Sequence, residues 1–95
     1  YREALRLQPE LTAAHFGLAN ALAGTGRGAE SIGHYEATIR AVPHSAEAHF
    51  NLGVVLAQSR RVDEAITHFE KVVELQPDFA AARQNLEALR RQSPR

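Results

Sequence analysis

One feature of this sequence constrains its fold more than any other: the pattern of residues restarts every 34 positions. Pro9, Pro43 and Pro77 are separated by that interval. A period of about 20 to 50 residues is typical of arrays built from one repeated supersecondary unit. The other matching positions are Leu18, Leu52 and Leu86; Ala14, Ala48 and Ala82; Tyr1, Tyr35 and Phe69; and the pairs Phe16 and Phe50, Glu30 and Glu64, His34 and His68, and Asn51 and Asn85. The chain is therefore predicted to be a stack of similar units.

Each unit contains two stretches with the spacing of an amphipathic helix. Apolar residues recur at steps of three and four, as Leu52, Val55 and Leu56 do in one stretch. Polar or glycine-rich segments at 24–28 and 58–61 separate the two stretches of a unit, and a proline ends each unit because its ring blocks further helix. The expected helices, each antiparallel to the next, are 1–7, 11–23, 28–41, 45–57, 62–75 and 79–92.

This pattern resembles the tetratricopeptide repeat family, whose 34-residue unit reads W-x-x-L-G-x-x-Y, then A-x-x-x-F, then P. The corresponding residues of the second full unit are His49, Leu52, Gly53, Leu56, Ala65, Phe69 and Pro77. Those of the first are His15, Leu18, Ala19, Leu22, Ser31, Tyr35 and Pro43. The resemblance implies an all-α superhelix, a solenoid of antiparallel helix pairs. It divides the chain into a partial repeat at 1–11 with the second helix only, repeats at 12–45 and 46–79, a capping helix at 80–92 and a tail at 93–95.

Composition excludes several classes of partner. Eleven basic residues balance eleven acidic ones, so no overall positive field favours nucleic acid or an anionic membrane. No apolar run approaches the roughly 18 to 20 residues that cross a bilayer, and the first residues do not form a signal peptide. The absence of cysteine excludes disulfides and leaves cytosol and periplasm open, with the cytoplasm as the expected location. The single lysine beside many arginines and alanines hints at a GC-rich bacterial source.

The five histidines do not have the spacing of a metal site. His15 and His49 lie on successive units, and no two histidines are four residues apart on one helix. We interpret His15 and His49 as packing residues between helices, and His34, His44 and His68 as surface residues. No metal, cofactor or catalytic residue is expected. The glycines at 24–28 are interpreted as a turn and not as a phosphate-binding loop, because they follow a helix and lack the P-loop lysine.

The two ends of the array are expected to differ. Glu87 and Arg90 stand in the last helix where earlier units have small or apolar residues, and burying such charges unpaired costs several kcal/mol. The last helix is therefore expected to be a solvated cap that closes the array. The first residues show the opposite pattern, because Tyr1, Ala4 and Leu5 lie at core positions of a helix whose partner is missing. They predict self-association, as a homodimer, and a chain that is a piece of a longer protein.

The resemblance also implies a binding site, because the first helices of tetratricopeptide units line a concave groove. Asparagine amides there bind the N–H and C=O groups of an extended peptide, and Asn51 and Asn85 are similar to the asparagine ladder of O-linked N-acetylglucosamine transferases. The residues that the resemblance places in this groove are Phe16, Asn20, Glu47, Phe50, Asn51, Val54, Gln84 and Asn85. Packing between neighbouring repeats is an alternative role for the same amides and rings.

Two functions follow from these expectations. The first is a protein-interaction scaffold, not an enzyme, that binds an extended peptide or a helix of a partner protein. The second is a structural spacer or self-association element within a larger protein that carries a catalytic domain beside it.

Overall fold

Helices account for all the regular structure in the described part of the chain. The computed structural model describes residues 2–92, and the side chains from residue 11 onward. Within these residues there are five α-helices and no strand. They are α1 (Arg2–Gly24), α2 (Gly28–Ala41), α3 (Ala46–Gln58), α4 (Val62–Leu75) and α5 (Ala80–Gln92). Each helix packs mainly on the helices next to it in sequence, so the chain forms a solenoid of 46 × 28 × 20 Å. The expected all-α solenoid is confirmed.

The turn between the two helices of a unit has the same backbone geometry in both units. The N–H of Arg27 donates to the carbonyl oxygen of Leu22 at 2.8 Å, and Gly26 between them has a φ of 80°. This hydrogen bond closes a helix when the chain passes through the left-handed region. The equivalent residues in the second unit are Arg61, Leu56 and Arg60, with a distance of 2.9 Å and a φ of 64°. The expected short turns are present in both units.

Side chains fix the starts of the helices that follow the turns. The guanidinium of Arg27 donates two hydrogen bonds to the Glu30 carboxylate at 3.0 and 2.6 Å, and Arg61 does the same to Glu64 at 2.9 and 2.6 Å. The hydrogen bond from Arg61 lowers the pKa of Glu64. At the start of α3 the Ser45 hydroxyl accepts a hydrogen bond from the N–H of Ala48 at 3.2 Å, as an N-cap does.

A buried aromatic ring from the second helix forms the core of each unit. Phe69 of α4 packs against Gly53 of α3, where an added Cβ atom would lie only 3.0 to 3.1 Å from three ring atoms. In the first unit Tyr35 and Ala19 hold the equivalent positions and are also buried. The rest of the core is made of buried apolar residues, chiefly Ile32, Leu52, Val55, Leu56, Ala65, Val72, Ala82, Leu86 and Leu89.

The helix break expected at Pro9 is absent. α1 runs without interruption from Arg2 to Gly24, although helices at 1–7 and 11–23 were expected on either side of that proline. A proline inside a helix removes one hydrogen bond and costs about 3 kcal/mol. At Pro43 and Pro77 the chain leaves the helix and packs the next helix against the previous one, which offsets the lost helical hydrogen bonds. Residues 2–8 do not fold back on α1 in this way, so the helix continues.

The last helix has the expected polar outer face. Glu87, Arg90 and Arg91 are exposed on α5, where Arg91 donates a hydrogen bond to Glu87 at 2.8 Å. Arg90 donates to Glu70 of α4 at 2.9 Å.

The positions Tyr1, Ala4 and Leu5, predicted to mediate self-association, lie outside the described side chains.

Two helical glycines give a matched test of this packing. Gly33 of α2 is exposed and an added Cβ would meet nothing within 4 Å, so Gly33→Ala is expected to stabilise the chain by about 0.5–1 kcal/mol. Gly53→Ala gains the same helix propensity but forces Phe69 to move, and overpacking of this kind costs about 1–3 kcal/mol. Urea unfolding of both variants measures the difference. Equal stabilisation by the two substitutions would contradict the tight contact between α3 and α4.

Candidate functional site

Two depressions lie side by side between the first helices of successive units. The first has a volume of about 340 Å³ and lies between α1 and α3, and the second, of about 210 Å³, lies between α3 and α5. Val54 and Gln58 of α3 line both, so the two depressions form one groove. None of the residues that line them in the described part of the chain is charged. The groove is therefore suited to an uncharged ligand surface.

A polar network crosses the first depression. The Tyr35 hydroxyl donates a hydrogen bond of 2.5 Å to Oδ1 of Asn20, and Nδ2 of Asn51 donates to the same oxygen at 3.1 Å. Burial raises the pKa of Tyr35 and so keeps the hydroxyl protonated. The hydrogen bond between Asn20 and Asn51 joins α1 to α3. Part of the polar surface of this depression is therefore committed to holding successive units together.

The second depression has a different chemistry. Val54 and Phe69 occupy the positions equivalent to Asn20 and Tyr35, so an apolar pair replaces the hydrogen-bonded pair. The floor is completed by Ala57, Ala88 and Leu89. Asn85 and Gln58 line this floor, and neither makes a side-chain hydrogen bond within the described residues. Their amide groups are free to bind a ligand.

The aromatic residues near the groove pack mainly within the protein. The Phe50 ring stacks on Phe79 with centroids 4.8 Å apart and meets Phe69 edge to face at 5.6 Å. Phe16 contacts Tyr35 in the same edge-to-face manner at 6.1 Å. Rings in these arrangements stabilise their pairs by about 0.5–1.5 kcal/mol beyond the area they bury. Phe50 therefore links α3, α4 and the start of α5, which is the packing role considered as an alternative from the sequence.

Some of the groove residues expected from the sequence line the two depressions, and others do not. Those that line the first depression are Asn20, Phe50, Asn51 and Val54, and those that line the second are Val54 and Asn85. Phe16, Glu47 and Gln84 line neither depression, and the last two are exposed. Sequence reasoning missed Gln58, which follows Val54 by one helical turn. Continuing the helical spacing of Phe50 and Val54 by four residues would have found it.

Two pairs of histidines lie across the helix hairpins, outside the groove. Nδ1 of His15 is 3.0 Å from Nδ1 of His34, and Nδ1 of His49 is 2.9 Å from Nδ1 of His68. His49 is buried, and His34 and His68 are half-buried. The expectation that His34 and His68 lie on the surface is wrong, whereas His44 is exposed as expected. An antiparallel hairpin brings together residues that lie at equal distances from its turn. The two histidines of each pair are placed in this way.

Hydrogen bonding assigns the proton positions in the second pair. Nε2 of His49 lies 2.9 Å from the carbonyl oxygen of Pro43, which can only accept, so Nε2 carries a proton. In the neutral ring Nδ1 of His49 is then an acceptor, and Nδ1 of His68 donates to it.

The rings meet head-on, which differs from the arrangement around a metal ion. In both pairs the ring centroids are 5.2 Å apart, only about 2.2 Å more than the Nδ1 atoms, so the line between the nitrogens passes close to both centroids. Two imidazoles that share a metal instead point at a common third position about 2.1 Å from each nitrogen. Within the residues that the structure describes, no group of three or more His, Cys, Asp or Glu is placed to hold a metal.

The stacked hairpins, the small residues at the helix contacts and the groove between first helices define a helical repeat scaffold. The sequence model described as tetratricopeptide repeat matches residues 1–42 and 16–78, and the chain belongs to this family. The resemblance noted from the sequence is thus confirmed.

A solved structure supports the same fold. The structure titled "MamA RS-1 ArsTM double mutant" matches with a TM-score of 0.83 and 22% sequence identity over 96% of this chain. This chain covers 51% of that one, so it spans about half its length. No curated protein matches the chain. Among residues 2–92 no helix combines the length and apolar character that a membrane crossing requires.

Acid should destabilise the fold through the second histidine pair. Burial, and next the His49 ring, lower the pKa of His68, while Glu64 opposes the shift. The unfolded chain binds a proton at this position near pH 6.5 and the folded chain only at lower pH. The stabilisation is therefore complete above about pH 6.5 and is lost as pH falls below it. Urea unfolding between pH 7.5 and 5.5 should show this fall, and it should be shallower in His68→Gln. The exposed His44 provides the control: His44→Gln should leave the pH profile unchanged.

A double-mutant cycle tests the polar network of the first depression. Tyr35→Phe and Asn20→Val should each cost about 0.5–1.5 kcal/mol, because the first removes one of the two hydrogen bonds to Asn20 and the second leaves the Tyr35 hydroxyl without its acceptor. The double variant reproduces the Val54–Phe69 pair of the second unit and should cost less than the sum of the two single changes. Chemical unfolding measures the three free energies. Strict additivity would mean that the 2.5 Å hydrogen bond contributes nothing to stability.

Proposed function

We propose that this chain is a protein-interaction scaffold whose groove binds an extended, uncharged peptide segment of a partner protein. One observation carries the proposal: among the described residues, the amides of Asn85 and Gln58 have no hydrogen-bond partner, and they lie beside an apolar floor. An amide offers donors and an acceptor together, which complements the N–H and C=O groups of a peptide backbone. The apolar floor between them would take a small apolar side chain of the same peptide.

The size and charge of the groove favour a peptide over a small metabolite. Small-molecule sites commonly enclose about 300–1,000 Å³ and bury most of the ligand, whereas both depressions are open to solvent and the second has only about 210 Å³. Its neutral lining offers no counter-ion to a phosphate or a carboxylate. A chain that passes from the first depression to the second would contact both in turn. Phe16, Glu47 and Gln84 remain proposed contacts at the margin of this path.

The groove asparagines have different proposed roles. Asn20 and Asn51 hold α1 to α3 by their shared hydrogen bond, and the carbonyl oxygen of Asn51 is left for a ligand. Asn85 has no such bond within the described chain and is proposed to contact the peptide directly. With so few contacts, affinity should be weak, about micromolar at best.

The second candidate function is that of a structural spacer or self-association element within a larger protein. The observation that favours it is the exposure of Leu11 and Leu18 on α1, at 57% and 46%. In this role the chain forms a homodimer through its N-terminal helix. In either role we propose a binding protein, not an enzyme, from the cytoplasm of a bacterium.

The groove proposal predicts a selective loss of binding in Asn85→Ala. Peptides selected by display on the wild-type chain should bind this variant about 2- to 12-fold more weakly, which corresponds to about 0.5–1.5 kcal/mol for one hydrogen bond. Isothermal titration calorimetry measures the affinity. The thermal midpoint should stay unchanged, because the Asn85 side chain has no hydrogen bond to lose in the part of the chain that the structure describes. Asn51→Ala should lower the midpoint as well, since Asn51 is bonded to Asn20.

Gln92 supplies the matched control, because it is an exposed amide at the far end of α5, away from both depressions. Gln92→Ala should bind the selected peptides as the wild type does. Peptides that bind wild type and Asn85→Ala equally well would count against the groove as the binding site.

A further inference from the structure

The two histidine pairs occupy the same place in successive hairpins, and each adjoins a ring that lines the groove. His34 precedes Tyr35, which lines the first depression. His68 precedes Phe69, which lines the second. Both pairs have ring centroids 5.2 Å apart. Movement of the second histidine of a pair therefore moves a residue of the groove.

The second pair can bind one more proton without losing its contact. In the neutral pair Nδ1 of His68 donates to Nδ1 of His49, and Nε2 of His68 has no hydrogen-bond partner within the described residues. A depression of about 350 Å³ that is open to solvent lies beside the two rings. A proton at Nε2 leaves Nδ1 of His68 a donor, so the bond persists and becomes charge-assisted. One added proton therefore keeps α3 and α4 together.

A second added proton has a different effect. It binds at Nδ1 of His49, because Nε2 of that ring already donates to the carbonyl oxygen of Pro43. Two positively charged rings then present N–H groups to each other across 2.9 Å, and neither nitrogen can accept. Burial and the His49 ring lower the pKa of His68, so the pair binds this proton only below the usual histidine range. The contact between the rings is lost when both are charged.

The carboxylates near the pair are already bound by cations. Glu64 acts on the α4 ring directly and favours its charged form, and Glu70 and Glu74 line the depression beside the pair. Each of the three is in a salt bridge: Glu64 with Arg61, Glu70 with Arg90 of α5, and Glu74 with Lys71. At the end of α2 and in the turn after it, the exposed Arg40 and His44 supply no negative charge. None of these three carboxylates is therefore free to neutralise the second proton.

The α3–α4 hairpin has fewer bonds to resist this repulsion than the α1–α2 hairpin. In the α1–α2 hairpin the Tyr35 hydroxyl also donates to a side chain of α1. The equivalent residues of the α3–α4 hairpin are Val54 and Phe69, whose side chains cannot form a hydrogen bond. His49 stays bound to Pro43 when it is charged, because its Nε2 still donates. α4 is therefore the helix that moves, and it takes Phe69 away from the second depression.

We propose that the His49–His68 pair is an acid-sensitive switch that controls the groove. The pair stays closed with one added proton and opens with two, and its opening releases a peptide bound in the second depression. The release rests on the groove function proposed above, whereas the opening of the hairpin does not. The loss of stability in acid then begins at the α3–α4 hairpin.

Hydrogen exchange of the backbone amides, measured without ligand, tests the opening. α4 has 14 residues, and a helix of this length is marginal in water without its packing partner. Its amides should therefore exchange faster once the hairpin opens. After correction for the intrinsic pH dependence of exchange, protection of α4 should fall between pH 7.5 and 5.0, and by more than that of α2. Protection of α4 that stays constant, or that falls no more than that of α2, would overturn the proposal.

Two matched variants assign the effect to this pair. His68→Asn keeps an amide N–H that can donate to His49 but has no group that titrates in this range. Its α4 protection should be the same at both pH values. The control His34→Asn makes the same change in the first hairpin and should lose α4 protection in acid as the wild type does. A His68→Asn variant with wild-type helicity at pH 7.5 that still loses α4 protection in acid would contradict the switch.

The titration of the unmodified chain provides a test that needs no variant. The ring nitrogen shifts of His49 and His68, measured by NMR, should show two separate protonation steps for the pair. Protonation of both rings in one common step would overturn the proposal.

Titration calorimetry tests the release. The probes are peptides selected by display at pH 7.5, with blocked termini and no ionisable side chain, so that only the protein titrates. Affinity should fall about tenfold at pH 5.0 if one molecule in ten keeps the hairpin closed, and His68→Asn should bind equally at both pH values. No binding at pH 7.5 would overturn the groove and the release with it, but not the opening seen by exchange. Equal binding at both pH values by a wild type whose α4 has opened would overturn the release alone.

Discussion

The close approach of two helices at one small residue is the constraint on which this structure depends. At Gly53 the Phe69 ring fills the space that any side chain would take, with ring atoms only 3.0 to 3.1 Å from where a Cβ would lie. A wider separation would leave the ring in a cavity and separate the histidines of the same hairpin. The contact therefore determines both the packing of the ring in the core and the distance between the two histidines of the hairpin. The groove follows, because neighbouring hairpins of this shape leave a depression between their first helices.

Much of the fold was predictable because the sequence pattern of each helix recurs in successive units. The bounds of α2, α3, α4 and α5 agree with the expected ranges to within one residue, since turn glycines, Ser45 and the prolines mark the ends. The prediction at Pro9 failed because a proline can either end a helix or lie within one. A proline ends a helix where tertiary contacts stabilise the turn that follows it. The sequence alone does not reveal whether those contacts form.

The candidate site was predictable in outline and not in its bonding. Helical spacing places Asn20, Asn51 and Asn85 on first helices, but it does not distinguish an amide that binds a neighbour from one that is free. The histidine pairs were missed for a related reason. They join different positions of one unit, 19 residues apart, whereas a comparison of repeats finds only residues at the same position in successive units. Contacts of this kind depend on the crossing of the two helices, which periodicity does not specify.

The order of contacts along the solenoid has a mechanical consequence. Because each helix packs mainly on its sequence neighbours, tension applied to the two ends is transmitted through all the interfaces in series. The weakest interface yields first while the others keep their contacts. Extension then proceeds in steps, and helices that have separated can return to their neighbours without any change in topology. A solenoid of this kind can therefore lengthen under load and recover its shape when the load is removed.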